Sequence, residues 1–135
     1  MSYADWVGRS EVREDRLDAR LPAGLAATLG VAVPDALPPA WHWMLFQDWA
    51  APERIGPDGH PKRGGFLPPI DLPRRMWAGS RLTYRAPLTI GTLAEKRSEI
   101  ASIDSKTGRS GMLVFVTLRH VISQGSVIAI EEEQD

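Results

Sequence analysis

At 135 residues the chain has the length of one domain, large enough to bury a real core and too short for two ordinary domains. Hydrophobic residues make up 43% and charged residues 24%, which excludes a disordered chain, and a formal net charge of -1 excludes a global field for drawing nucleic acid or an acidic membrane surface. The absence of cysteine excludes disulfides, thiolate metal sites and a cysteine nucleophile.

The chain opens on MSYADWVGRSEVRED, which is charged and lacks the apolar centre of a signal peptide. No apolar run approaches the roughly 20 residues that span a bilayer, so the expectation is a cytoplasmic protein with no membrane partner. Short helical pieces then alternate with breakers. Leu21, Leu25, Ala26 and Leu29 fall on one helical face, and Gly30 suits a left-handed cap, so a helix is expected over 22–29. Pro34, Pro38 and Pro39 force extended or turn backbone. The aromatic run 41–49 fits either a buried strand or a short helix, and periodicity does not arbitrate.

Residues 51–73 carry Pro52, Pro57, Pro61, Pro68, Pro69 and Pro73 with Gly56, Gly59, Gly64 and Gly65, and are expected as a long loop. Phe66, Leu67, Ile70 and Leu72 offer apolar anchors that favour a packed loop. Residues 74–88 end in an aromatic-basic strand that runs into Pro87 and Gly91. Three more strand-like runs follow at 90–104, 110–122 and 126–133, and together they read as an antiparallel meander. In 111–122 both faces are apolar near the start, the pattern of a central strand. Segments 104–109 and 123–126 have hairpin chemistry, with Gly108 and Gly125 available for positive φ.

The general acid/base candidates are the three histidines. His42 lies between two tryptophans and is most simply an imidazole packed among rings. His60 sits in the Gly-Pro loop, where a turn-stabilising or solvated role is simplest. His120, late in a strand, reads as a surface or edge residue, and the acidic run 131–133 as a solvated strand end. His42, His60 and Asp48 are the candidates for proton chemistry. No HxH, HExxH or acidic cluster has ligand spacing, so no metal is expected, and no phosphate-cradling glycine motif is present. Lys62, Arg63, Arg74 and Arg75 form the one basic concentration beside aromatic residues. A guanidinium suits the phosphates of coenzyme A and a ring suits its adenine, so Arg63, Phe66, Arg74, Arg75 and Trp77 are the candidate contacts.

Four stretches, PPAWHWMLF (38–46), GHPKRGGFLPP (59–69), LPRRMWAGSRLTYRAPL (72–88) and TGRSGMLVFVTLRH (107–120), resemble the N-terminal half of the MaoC-like hydratases and dehydratases. The resemblance covers nearly the whole chain and is strongest to the mesaconyl-C4-CoA or itaconyl-CoA hydratase branch. It implies one α+β hot-dog domain over 1–135, an antiparallel sheet packed on a helix and half of a double hot dog. The implied reaction is reversible hydration of an unsaturated acyl thioester, with coenzyme A as part of the substrate and no separate cofactor.

Catalytic halves of that family carry D-x4-H on the hot-dog helix, and no aspartate here has a histidine five residues downstream. The resemblance therefore implies a non-catalytic half that works with a second hot-dog domain, as a homodimer or with a separate catalytic subunit. Two alternatives stand beside it. One is a self-sufficient homodimeric hydratase or thioesterase, marked by His42, Asp48 or His60 within hydrogen-bond reach of a carboxylate in a tunnel. The other is an acyl-CoA-binding structural or regulatory module.

Overall fold

The computed structural model describes residues 2–135. Five strands, β1 (Ser10–Arg16), β2 (Ser80–Tyr84), β3 (Leu93–Gly108), β4 (Gly111–Gln124) and β5 (Val127–Gln134), form one antiparallel sheet in the order β1-β3-β4-β5-β2. One α-helix, α1 (Arg20–Leu29), and 3-10 turns at Ala4–Trp6, Trp41–Met44 and Pro52–Arg54 complete the framework.

The expected meander holds for β3, β4 and β5, and β4 is the central strand as expected, although the apolar stretch at its start pairs with β3 alone. The aromatic-basic strand departs from it. After β2 the chain crosses the sheet, so β2 pairs with β5 at the far edge, Tyr84 opposite Ile130, instead of with β3. Strand β1, SEVREDR, replaces the helical and broken start that the sequence suggests. It is an edge strand paired to β3, Arg13 opposite Lys96, with Glu11, Arg13 and Asp15 on its half-buried side and Val12, Glu14 and Arg16 on the open one. The β3–β4 turn takes its positive φ at Gly111 (116°) and not at Gly108, because Gly108 stays in the ladder opposite Gly111.

Helix α1 ends as expected on Gly30, whose φ of 69° lets its N–H reach back to the Ala26 and Ala27 carbonyls. Yet it buries only Pro22 and Ala26, and leaves Leu21 and Leu29 open. The sheet's inner face is instead covered by the segment after Pro39. There the aromatic run resolves into the short helix Trp41–Met44, followed by Leu45 and Phe46. Phe46 has a positive φ of 59°, held by a hydrogen bond from its N–H to Asp15 Oδ2 (2.9 Å), and this turn puts its ring into the core. That core comprises Leu17, Leu45, Phe46, Leu88, Ala94, Ile122, Ala129 and Ile130.

The Pro-rich loop runs on to Gly79 and is packed, with Pro68 buried and Phe66, Leu67, Ile70 and Leu72 half-buried. Arg63 Nη1 donates to the carbonyls of Ile70 and Leu72 and ties the loop to itself. At the opposite end, β3 and β4 outrun their neighbours. The β1 pairing stops at Glu99 and the β5 pairing at Leu118, so 102–108 and 111–117 pair only with each other. This two-stranded ribbon carries Ile103, Val114, Phe115 and Val116 with Met112 and Leu113 exposed, although such a ribbon is marginal in water on its own.

Candidate functional site

Alternation along the strands sends one side of each to solvent and the other to the core. On the solvent side β2, β4 and β5 carry ion pairs such as Arg81–Glu133 and Arg85–Glu131. On the inner side a polar row interrupts the apolar core. Ser98, His120 and Glu132 are consecutive cross-strand neighbours on β3, β4 and β5. All three are buried, so each needs a partner.

The partners are specific. Gln134 Oε1 accepts from His120 Nε2 (3.1 Å), which sets the tautomer, and Ser98 Oγ then donates to Nδ1 (2.7 Å). Burial, with help from the Lys96 charge, holds the His120 imidazole below its ordinary protonation range, and Gln134 and Glu132 oppose this only in part. It is neutral at pH 7. Burial pushes Glu132 upward, but its hydrogen bonds from His42 and Trp43 and the nearby His42 outweigh that, and its net shift is downward. His42 Nε2 donates to Glu132 Oε1 (2.9 Å), and Trp43 Nε1 is shared between Oε1 (3.1 Å) and Oε2 (3.0 Å). One carboxylate thus fastens the 41–44 turn to β5.

Between this turn and the sheet lies a cavity of about 400 Å³. Trp43, Phe46 and Trp77 give it aromatic walls, and Lys96, His120, Glu132 and Gln134 give it a polar side. Trp43 and Trp77 meet edge to face, ring centroids 6.3 Å apart, and both remain substantially exposed at its mouth. His42 also borders the cavity, but it offers no free nitrogen there. Nε2 is bonded to Glu132, and Nδ1 is sealed from solvent without a hydrogen-bond partner.

Of the residues selected from the sequence, the structure brings His42 and Trp77 to this cavity. His42 is packed among rings as expected, with Trp43 and Tyr84 beside it, but it also has the buried carboxylate partner that no spacing revealed. Asp48 is exposed and paired with Arg13 (3.0 Å). His60 is solvated, with its N–H bonded to Asp58, in keeping with a turn role. Phe66 packs in the loop, and Arg74 and Arg75 are exposed before Trp77. Two readings are corrected. His120 is an interior residue and not a surface one, because its side chain falls on the inner face of the central strand. Glu132 is likewise buried and not a solvated strand end, because alternation sends it inward while Glu131 and Glu133 pair with arginines outside. Trp43, Lys96, His120, Glu132 and Gln134 were missed as a group, and period-two alternation was the one signal that could have placed the last three on a shared face.

Comparison with known proteins adds the family context. The hydroxyacyl-thioester dehydratase type 2 family matches residues 40–135. The mesaconyl-C(4)-CoA hydratase of Chloroflexus aurantiacus is 46% identical over 143 aligned positions, which take in the whole of this chain and 51% of that protein. The chain thus spans about half the length of the curated relative it matches. Among solved structures, the 3R-hydroxyacyl-ACP dehydratase HadBC complex of Mycobacterium tuberculosis superposes with a TM-score of 0.66 at 13% identity, covering 97% of this chain and 96% of that one. The (R)-hydratase of A. caviae involved in PHA biosynthesis gives 0.55 at 19%, covering 95% and 92%. At such identities the likeness establishes the fold, a single hot-dog domain.

Proposed function

The chain belongs to the hydroxyacyl-thioester dehydratase type 2 family, and from that premise we propose that it is one hot-dog half of an acyl-CoA hydratase, holding the acyl group while a second hot-dog domain supplies the acid/base pair. The observation that carries this reading is that neither imidazole at the cavity presents an unbonded nitrogen to solvent. Water addition across an enoyl thioester needs a base for the water and a proton source for the α-carbon. His120 has both nitrogens hydrogen-bonded, and His42 has one bonded and one sealed, which supports a site that encloses a ligand over one that moves a proton.

The substrate in this proposal is an unsaturated acyl thioester of the kind named for the relative, mesaconyl-C4-CoA. A cavity of about 400 Å³ lies within the usual range for small-molecule sites. Coenzyme A enters as part of the substrate and the reaction is acid–base chemistry, so no separate cofactor is assigned. Arg74 and Arg75, both exposed, are the cations assigned to its phosphates, with Trp77 against the acyl or adenine face. Arg63 has a lesser claim, since it already holds the loop. The partner is a second hot-dog domain, and its place is the open apolar surface of the β3–β4 ribbon, Met112, Leu113 and Phe115. A cytoplasmic location accords with a chain that lacks cysteine, and no described helix is long and apolar enough to cross a membrane.

A second reading, a self-sufficient hydratase, is favoured by one observation: His42 lies 2.9 Å from a carboxylate beside a cavity. The deciding assay follows loss of enoyl-thioester absorbance with crotonyl-, mesaconyl-C4- and itaconyl-CoA, on the chain alone and with a MaoC-like catalytic hot dog added. Silence alone and turnover on reconstitution is the expected result. Turnover by the chain alone, abolished by His42→Ala, would replace the first reading with the second.

A further inference from the structure

The charges of the cavity and of the neighbouring β1 edge sort into paired groups with one remainder. Arg13 on β1 is bonded to Glu11 (3.2 Å) and Asp48 (3.0 Å). Glu132 is bonded to His42 and Trp43. Lys96 on β3 lies between these groups, half-buried on the wall of the cavity, and its ammonium makes no hydrogen bond and no ion pair among the described residues. It lies over the face of Phe46, 5.4 Å from the ring centroid, a cation–π contact. Burial and the Arg13 charge act against its protonation, while Glu11, Glu132 and Asp48 act for it.

A half-buried ammonium that meets a ring face and no carboxylate keeps donors unused, and an anionic ligand in the cavity would satisfy them. Three features narrow the ligand. The ammonium calls for an anion, the walls Trp43, Phe46 and Trp77 call for flat apolar surface, and the volume admits a few-carbon group. Neutral His120 and the amide of Gln134 border the same space and add no opposing charge. Glu132 does carry one, but its oxygens already accept from three donor contacts.

We infer that Lys96 is the specificity-determining residue of this cavity, pairing with the free carboxylate of a short unsaturated dicarboxylic acyl group whose other carboxyl is the thioester. This rests on the acyl-CoA reading above and goes beyond it by naming the group that separates a dicarboxylic from a monocarboxylic substrate. Unlike a flexible arginine on the exposed 74–75 pair, Lys96 is anchored mid-strand in the sheet, opposite Ile122. The carboxylate then lies against the sheet wall at Lys96, with the thioester toward the exposed Trp43 and Trp77.

The test is equilibrium binding to the whole chain, read by intrinsic fluorescence of its five tryptophans, two of which line the cavity, with mesaconyl-C4-CoA, crotonyl-CoA and free mesaconate. The wild-type chain should bind mesaconyl-C4-CoA at least about tenfold more tightly than crotonyl-CoA. Lys96→Met should bring the two to equal affinity by weakening only the dicarboxylic ligand, and Lys96→Arg should restore part of the preference. Met matches the length of the stem and removes an unpaired charge, so the fold should survive, and circular dichroism checks it. Equal binding of both thioesters by wild type, or an undiminished preference in Lys96→Met, would overturn the inference while leaving the acyl-CoA reading intact. Failure of both thioesters to bind would sink the acyl-CoA reading instead. Free mesaconate then decides Lys96 separately: binding lost in Lys96→Met sustains the carboxylate site, and no binding to wild type removes it.

Discussion

Glu132→Ala is the perturbation that tests the site's architecture most directly. Glu132 is 4% exposed and accepts from His42 Nε2 and Trp43 Nε1, the contacts that attach the 41–44 turn to β5. Its removal leaves His42, 3% exposed, with neither ring nitrogen bonded, since Nδ1 has no partner in the native state. An orphaned buried polar group costs about 1–3 kcal/mol, and breaking a buried pair reaches about 3–5 kcal/mol. Trp43 is half-exposed and can turn its N–H to water, and the space vacated by the carboxylate opens onto the cavity, so the cost falls between these two ranges. The expected loss is about 2–4 kcal/mol by urea or guanidinium denaturation, against a typical total of about 5–15 kcal/mol. Glu132→Gln, of the same shape, should lose about 1–2 kcal/mol. His42→Ala with Glu132→Ala should cost less than the sum of the two singles by about 1 kcal/mol or more, because each single strands the other partner. The folded-state protonation of Glu132 lies below its ordinary 4.5, so the contribution is complete above about pH 4.5 and is lost as pH falls further. A Glu132→Ala variant within about 0.5 kcal/mol of wild type, or strict additivity of the double variant, would refute the claim that this carboxylate is the fastening point.

His120 gives a distinct pH signature. Its folded-state value is depressed below 6.5, so the unfolded chain takes up the proton first, and the stability is complete above about pH 6.5 and declines as pH falls through the folded value. The denaturation midpoint of wild type should fall from pH 7 to 5 more steeply than that of His120→Gln, and equal slopes would contradict this. Arg63→Ala removes the two carbonyl contacts that close the Pro-rich loop, and should cost about 1–3 kcal/mol with faster proteolysis within 51–79. Arg74→Ala and Arg75→Ala, at exposed positions, should stay within about 0.5 kcal/mol and change only ligand binding.

Much of the fold was legible because the relevant signals are local. Gly30 marked the end of α1, and the apolar alternation in 111–122 marked a central strand. What failed did so for physical reasons. β1 has the sequence SEVREDR, with Val12 as its one aliphatic side chain, because an edge strand with a solvated outer side has no need of an apolar stripe. β2 looked like the first strand of the meander because it precedes β3 in sequence, yet its hydrogen bonds go to β5 across the sheet. The helix itself was legible from its apolar face and Gly30, and in the structure Leu21 and Leu29 remain open while Leu45 and Phe46 join the core cluster. An apolar stripe shows that a face can be covered, and leaves open whether this chain or another covers it.

The candidate site was hidden for a different reason: its members are 90 residues apart and meet only through sheet register. Nothing in WHW specifies that His42 meets a carboxylate, and nothing in EEE separates Glu132 from its neighbours except the parity of an alternation whose phase the β4–β5 register sets. That register places Glu132 opposite His120, and the β3–β4 pairing places Ser98 on the other side, which makes a polar row in an otherwise apolar interior. A row of this kind lowers packing energy relative to an all-apolar core, so its retention needs a use. The fastening of the 41–44 turn accounts for Glu132, His42 and Trp43, and the Ser98 and Gln134 bonds account for His120. Lys96 meets the Phe46 face but has no hydrogen bond or ion pair among the described residues, and that asymmetry is why the cavity reads as a binding site and Lys96 as the residue a ligand would complete.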